Sequence, residues 1–366
     1  MRYTCVFLAI LLTPFYVYPQ ADMPKKDFAF TDSLARTIRY HGDVYTHTRE
    51  LTTPYNDQLS KTRAIFIWIT DNIAYDYKAV NKGKPAPRIP PCVPGTDCQR
   101  VMQDWENKYL QRILKKKKSV CEGYARLFKK MCNIAGVRCE VVSGYIKTRY
   151  YHIGRAGAVD HAWNAVYLDS SWHMVDPTWA AGGCDEDENI GKLQSFEKLF
   201  NNYYWQASYS DFHRNHYPEK GQWAFKENYT KEKFAAAPYI AGSVISDLRL
   251  LSPEPGIIQA RKGDTIRFRF TYRGQLTYLQ ANSNLFRNPT TYRMEKVSRR
   301  RWQPVWDTFA LKKQQYVSFR KSFRGYAFEY VVTDENLNYI DILFDYERAF
   351  RYKVNIIREP VQLAGK

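Results

Sequence analysis

HAWNAVYLDSSWHMVD, running from His161 to Asp176, reads as two strands meeting at a tight turn. If Asp169 and Ser170 form a two-residue turn, Leu168 faces Ser171 and the antiparallel register sets Trp163 opposite Asp176. His161 lies two residues from Trp163, so it shares that sheet face and sits diagonal to Asp176, within reach for long side chains. A three-residue loop would put the two on opposite faces unless a bulge intervened. The length of the turn therefore decides whether a histidine and a carboxylate meet.

Upstream, KSVCEGYARLFKKMCNIAGVRCEVVSGY from Lys118 to Tyr145 reads as a helix followed by a strand. Tyr124, Leu127, Phe128, Met131 and Ala135 share one helix face, and Gly136 stands where a left-handed cap would end it. Cys121 heads this helix. A thiol there feels the positive end of the helix dipole, which favours thiolate, and a neighbouring imidazolium would favour it further. Cys132 lies inside the helix and Cys139 on the following strand, where small buried thiols are common, and both read as structural. Cysteine as nucleophile, histidine as base and aspartate as orienter make the set that acyl transfer through a thiol requires.

Between Asp27 and Tyr77 the pattern is helical. Ile65, Trp68, Ile69 and Ile73 fall at helix-face spacing, which predicts a core helix ending near Tyr75. NKGKPAPRIPPCVP, from Asn81 to Pro94, breaks the pattern with prolines and reads as an insertion or lid. QRVMQDWENKYLQRIL then resumes a helical rhythm and leads to the lysine run Lys115 to Lys118, a solvated loop or helix end. Cys92 and Cys98 flank a Pro and Gly turn that could close a small bridged loop. From Glu186 to about Ile240 the chain is mixed and aromatic, with FHRNHYPEKGQWAF in its middle; His216 there, like His152 and His173, reads as a structural or surface residue. Beyond about Ser243 the composition turns to β: DTIRFRFTYRG, YAFEYVV, YIDILF and RYKVNII are strands of a sandwich.

At 366 residues the chain is long enough for two domains, and 45% hydrophobic with 25% charged residues is ordinary for soluble globular proteins. MRYTCVFLAILLTPFYVYPQAD has an early arginine and an apolar run through Val17, too short for a comfortable membrane span; it reads as a signal peptide over residues 1–21, with Cys5 inside it. The expectation is an exported chain, periplasmic or secreted, with no transmembrane anchor after cleavage. The formal charge of +18 would suit an anionic partner, but neither zinc-finger spacing nor a helix-turn-helix pattern accompanies it, so it is read as a solvated basic surface and nucleic acid is not expected.

SVCEGYARLF, GVRCEVVSGY and DHAWNAVYLDSSWHMVDPTWAAG, in this order, resemble the core of the transglutaminase-like superfamily of papain-type thiol enzymes. IFIWITDNIAYDY upstream and FHRNHYPEKGQW downstream are similar to flanking segments of its kyphoscoliosis-peptidase-like branch. The resemblance spans about residues 30–240 and leaves the C-terminal region unidentified. It implies an α+β, transglutaminase-like (papain-like) domain over residues 22–242, and the strand pattern adds an all-β, immunoglobulin-like sandwich over 243–366. It further implies Cys121 as nucleophile, His161 as general base and then acid, Asp176 as the residue orienting the imidazole, and the Cys121 backbone N–H as one oxyanion donor. For the second donor Tyr75, Gln103 and Trp105 are candidates that spacing does not separate. Trp163 and Trp179 are expected to pack around the site, with Trp163 a secondary candidate for substrate contact, and Gly123 to allow close packing beside the nucleophile. No metal, nucleotide or other cofactor is required. The expected activity is that of a cysteine peptidase or amidase acting on a protein or peptide, such as a cell-envelope peptide. A cross-linking transglutaminase, or a catalytically silent binding or scaffold protein on the same fold, is the alternative.

Overall fold

The computed structural model describes residues 26–83, 89–187, 190–225, 229–298 and 301–358. The signal-like segment 1–21 lies outside them, as do residues 84–88 of the proline-rich stretch. Three helices open the described chain: α1 (Ala29–Thr37), α2 (Val44–Thr52) and α3 (Gln58–Asn72). Asp43 caps α2 and Asp57 caps α3, each carboxylate accepting from a backbone N–H three residues on. On α3 the run from Thr62 to Thr70 is buried on every side, which makes it the central helix of the first core rather than an amphipathic surface helix. Arg63 is buried with it, ion-paired to Asp32 at 2.7 Å and bonded to Asn202.

The core helix ends at Asn72, three residues before the sequence pattern predicted. Tyr75 belongs instead to a short strand β1 (Ala74–Tyr75). After it come α4 (Tyr77–Asn81), α5 (Cys98–Lys116), β2 (Lys118–Ser119) and α6 (Cys121–Ile134). The cause of the early stop is a competing set of backbone partners: Ala74 N–H donates to Lys117 and Asp76 N–H to Ser119, both at 2.9 Å, so β1 and β2 pair in parallel with Tyr75 opposite Ser119. Lys117, at φ 51°, ends α5 in the left-handed region, so the lysine run is a helix end. Cys92 and Cys98 are disulfide-bonded, with Cα atoms 5.2 Å apart, closing a small loop at the start of α5.

Gly136 takes φ 75° just past α6, and Val137 N–H bonds back to Cys132 at 2.9 Å, a glycine-capped stop. The chain returns as β3 (Cys139–Ile146), β4 (His161–Leu168) and β5 (Ser171–Val175), followed by α7 (Pro177–Ala181), the hairpin β6 (Gly183–Asp187) and β7 (Lys192–Glu197), β8 (Trp205–Ala207), α8 (Tyr209–Phe212) and β9 (His216–Pro218). One antiparallel sheet runs β8-β5-β4-β3-β9, and α6 packs on β3 and β4. A single core, from Ala35 to Phe212, fills the space between helices and sheet.

A short helix α9 (Lys231–Ala236) leads into the second core, which runs from Ile240 to Val354. Its strands are β10 (Tyr239–Ile240), β11 (Leu248–Ser252), β12 (Ile257–Ala260), β13 (Thr265–Tyr272), β14 (Leu279–Ser283), the hairpin β15 (Tyr292–Ser298) and β16 (Arg301–Trp306), β17 (Arg320–Ser322), β18 (Gly325–Val331), β19 (Tyr339–Phe344) and β20 (Glu347–Ile356). One sheet runs β10-β20-β19-β14 with β12 beside β20; the other runs β11-β13-β18-β17. On β13, Ile266, Phe268 and Phe270 are buried and the residues between them exposed, the alternation of a strand with one wet face.

The two cores are fastened together near the site. Tyr150, in the connection from β3 to β4, lies under the guanidinium of Arg351 at 4.0 Å and near that of Arg348 at 4.4 Å. Arg351 is itself held by a bidentate bond to buried Asp341. Arg214 donates to the Ile245 carbonyl at 2.7 Å, and Tyr203 packs against both cores.

Candidate active site

The turn that decides the register has two residues. Asp169 and Ser170 take φ 49° and 62°, the backbone of a type I′ hairpin, and Leu168 faces Ser171. Pairing then runs Tyr167 with Trp172, Val166 with His173, Ala165 with Met174 and Asn164 with Val175, so Asp176 arrives one step beyond, opposite Trp163. The diagonal contact follows: His161 Nε2 lies 2.7 Å from Asp176 Oδ2. Both side chains are buried.

Asp176 has every lone-pair direction occupied. Its Oδ1 accepts from the backbone N–H of Thr178 at 2.8 Å and Trp179 at 3.1 Å, making it the N-cap of α7, while Oδ2 faces His161 and, at 3.1 Å, His216. A carboxylate tied down by its own helix cannot swing, and it fixes which ring nitrogen of His161 it holds. That leaves Nδ1 for the thiol. Cys121, the first residue of α6, is half-buried with Sγ 4.0 Å from the Asp160 carbonyl, and it lines the same cleft as His161. A Cβ on Gly123 would run into Ser119, Ile113 and Tyr109, so glycine lets α5 and β2 close against the start of α6.

Electrostatics favour a charged imidazole. Burial works against it, but the Asp176 carboxylate and then the thiol outweigh burial and push His161 up to about 10. For Asp176 burial alone would raise the pKa; His161 and His216 overcome it and hold the carboxyl well below its usual range. Burial pushes His216 down to about 4. Donor atoms of His161, Asp176 and His216 lie within 4.8 Å of one another, and their spacing is that of two ring nitrogens converging on one carboxylate oxygen.

Cys121 and His161 open on a cleft of about 1000 Å³. Its walls include Tyr75 and Val80 on one side, Ile146, Arg149 and Val159 on another, and Trp179 of α7 with Leu193 and Phe196 of β7. Arg149 and Glu186 form an ion pair at 2.6 Å at its edge. Burial, and then the nearby Cys121, push the Tyr75 hydroxyl well above its ordinary pKa, so it keeps its proton as a donor.

Of the three candidates for the second donor, Tyr75 lines the cleft and the other two do not. Gln103 is exposed on α5, and Trp105 stacks on Tyr109 at 5.5 Å beneath the Arg126 guanidinium. The reason is that α5 turns its apolar face onto α6, while the β1-β2 pairing carries Tyr75 to the thiol. Trp163 is fully buried behind the imidazole, 6.0 Å from it between ring centres, and takes no part in the cleft lining; Trp179, at 5.2 Å, does. Cys132 and Cys139 are buried, whereas Cys184 lines the cleft as a free thiol that burial pushes up to about 11.

His216 is the residue whose place sequence reasoning left open between structural and surface. It is wholly buried, stacked on Phe212 at 4.2 Å and in contact with Trp179 at 4.4 Å. It reaches Asp176 because β9 pairs with the end of β3, a contact across 40 residues with no local signature.

A helix-borne thiol packed on an antiparallel sheet that carries imidazole and carboxylate is the arrangement of papain-like thiol enzymes. Residues 45–177 match the profile of the Transglutaminase-like superfamily. Kyphoscoliosis peptidase of Mus musculus is 33% identical over 198 residues, 54% of this chain and 26% of that protein. The Homo sapiens protein of the same name is 37% identical over 167 residues, 45% of this chain and 22% of its own length. The chain thus spans about a quarter of the length of these curated relatives. A solved structure described as a TGase is 19% identical, covering 46% of this chain and 37% of its own, with a TM-score of 0.26. Residues 45–177 are a domain of the transglutaminase-like superfamily, on its kyphoscoliosis-peptidase branch. No helix among the described residues is long and apolar enough to cross a membrane.

Proposed function

We propose that the chain is an exported thiol acyl-transfer enzyme, a cysteine peptidase or amidase that cleaves peptide or isopeptide bonds in a protein or cell-envelope peptide. The observation that carries this reading is a cleft lined by both Cys121 and His161, with Asp176 holding the imidazole from behind at 2.7 Å. The Cys121 thiolate attacks the carbonyl carbon, and the oxyanion is held by the Cys121 backbone N–H and the Tyr75 hydroxyl. His161 passes its proton to the departing amine, leaving a thioester. Water, deprotonated by His161, then attacks the thioester, releasing the acid and restoring the Cys121 thiolate beside the His161 imidazolium. Asp176 keeps the imidazole in its tautomer and stabilises its charge.

Export is supported by the Cys92 to Cys98 bridge, since such bonds persist in oxidising compartments and are rare in the cytosol. Fractionation of cells carrying the tagged chain tests it; recovery with cytosolic markers would overturn it.

The chemistry is tested by incubating the protein with a peptide library, with and without a labelled primary amine. Cleaved peptides, unchanged in yield by the amine, are the result expected. Incorporation of the amine would assign transamidation instead, and no mass change in either arm would point to a silent fold. Iodoacetamide gives a control that needs no substrate: Cys121 should be labelled faster than the other thiols near neutral pH, and His161→Ala should remove that preference.

A further inference from the structure

His216 sits where it can act on the base without touching substrate. Its Nε2 is 3.1 Å from Asp176 Oδ2, the same oxygen that holds His161 at 2.7 Å. Its Nδ1 is 2.7 Å from Asn215 Oδ1, and Asn215 Nδ2 donates to the Tyr204 hydroxyl at 3.1 Å. Tyr204, Asn215, His216, Asp176 and His161 form one continuous polar line inside an aromatic shell of Trp163, Trp179 and Phe212. The titratable groups facing His216 are Asp176 ahead of α7, His161 on β4 and Tyr204 ahead of β8.

The proton count along this line is informative. A carboxylate oxygen only accepts, so a bond from His216 to Asp176 requires the proton on Nε2. A neutral ring then needs Nδ1 to accept, which is satisfied when the Asn215 amide offers its NH₂ and the Tyr204 hydroxyl turns to donate to the amide oxygen. A cationic ring is satisfied by the opposite amide orientation. In both states Nε2–H points at Asp176, so the donor persists whatever the charge on the ring.

We propose that His216 is a positioning residue of the triad: by sharing Asp176 Oδ2 with His161, it fixes the carboxylate and draws part of its charge away from the catalytic imidazole. The consequence is a weaker hold of Asp176 on the His161 imidazolium, and so easier release of the proton that the leaving amine needs. This inference rests on the reading of His161 as the base.

The test follows the His161 ring by NMR in histidine-labelled full-length protein, with His161→Ala used to assign the signal. In His216→Leu the His161 midpoint should rise by about one pH unit, the size of a partial loss of one charge-assisted bond. His216→Gln, whose amide can donate from nearly the same place, should return it to the wild-type value. His216→Phe keeps the stack on Phe212 and serves as a second variant without the donor should the leucine form not fold. An unmoved midpoint in a folded donor-less variant, or an equal shift in the glutamine variant, overturns the proposal. Because the readout needs no substrate, a moving midpoint in a protein without turnover would sink the proposed activity and leave this inference standing.

Discussion

The Tyr150 ring and the Arg351 guanidinium lie 4.0 Å apart across the boundary between the two cores. Tyr150 belongs to the connection that leaves β3 beside Arg149 and returns to the cleft at Asp160 and His161, so the sandwich grips the segment that leads into His161. A desolvated cation–π contact is worth about 2 kcal/mol. Tyr150→Ala should therefore loosen the coupling between cores and resolve one calorimetric transition into two, with the sandwich little changed in midpoint. A single transition at the wild-type temperature would show that the contact does not couple them.

The pH profile follows from the sign of the His161 shift. In the proposed reaction its imidazolium protonates the leaving amine, and it is held up to about 10, so kcat/KM should stay high through pH 9 and fall only as pH approaches that value. Asp176→Asn removes the opposing charge and leaves burial in command. The alkaline limb should then move down to or below the ordinary imidazole range, with activity reduced roughly 100-fold or more. An alkaline limb that stays in place would show that Asp176 does not hold the imidazolium.

The same shifts bear on folding. A raised His161 contributes stability fully below its unfolded pKa and loses it as pH rises towards about 10; the depressed Asp176 contributes above its unfolded pKa and loses it in acid. At pH 6, His161→Gln should cost about 3 kcal/mol, as for a broken buried pair. The gap in urea midpoint between the two proteins should narrow as pH rises from 7 to 10. A gap that is constant with pH would assign the loss to packing alone.

Tyr75 offers a direct test of the oxyanion site. Tyr75→Phe keeps the ring against the cleft wall and removes one donor, which should lower kcat by about 100-fold with little change in KM. Cys121 alkylation should stay near the wild-type rate, because in the proposed reaction the hydroxyl acts on a developing oxyanion. A variant with full activity would return the role to another group.

The hairpin turn is a place to gain stability. Asp169 and Ser170 both hold positive φ, which costs residues with a Cβ roughly 1 kcal/mol each. The double change Asp169→Asn and Ser170→Gly should raise stability by about 1 kcal/mol and leave activity alone. A lowered urea midpoint would mean the present side chains make contacts that outweigh the strain.

What the sequence disclosed depended on distance along the chain. The meeting of His161 and Asp176 was legible because a strand has period two and the turn between them is short, so counting suffices. The start of α6 at Cys121 and its stop at Gly136 were legible for a like reason: caps are local. The core helix was placed correctly but ended too late, because its true stop is set by backbone bonds to Lys117 and Ser119, more than 40 residues on. His216 was out of reach altogether, since only the pairing of β9 with β3 brings it under Asp176. Tyr75, Gln103 and Trp105 could not be ranked for the same reason. Their order in space depends on a disulfide-closed, proline-rich loop that shows no periodicity.

The two-residue turn at Asp169 and Ser170 makes the triad sensitive to length more than to chemistry. Deleting one residue there would force the two-residue turn to take in Ser171, so that Leu168 faces Trp172 and Asp176 moves opposite Asn164, on the other face from His161. An insertion of one or two residues leaves the pairing in place and can be absorbed as a three- or four-residue hairpin loop. Length variants at this turn should therefore break the contact of His161 with Asp176 on shortening and keep it on lengthening, an asymmetry that substitutions along β4 and β5 would not produce.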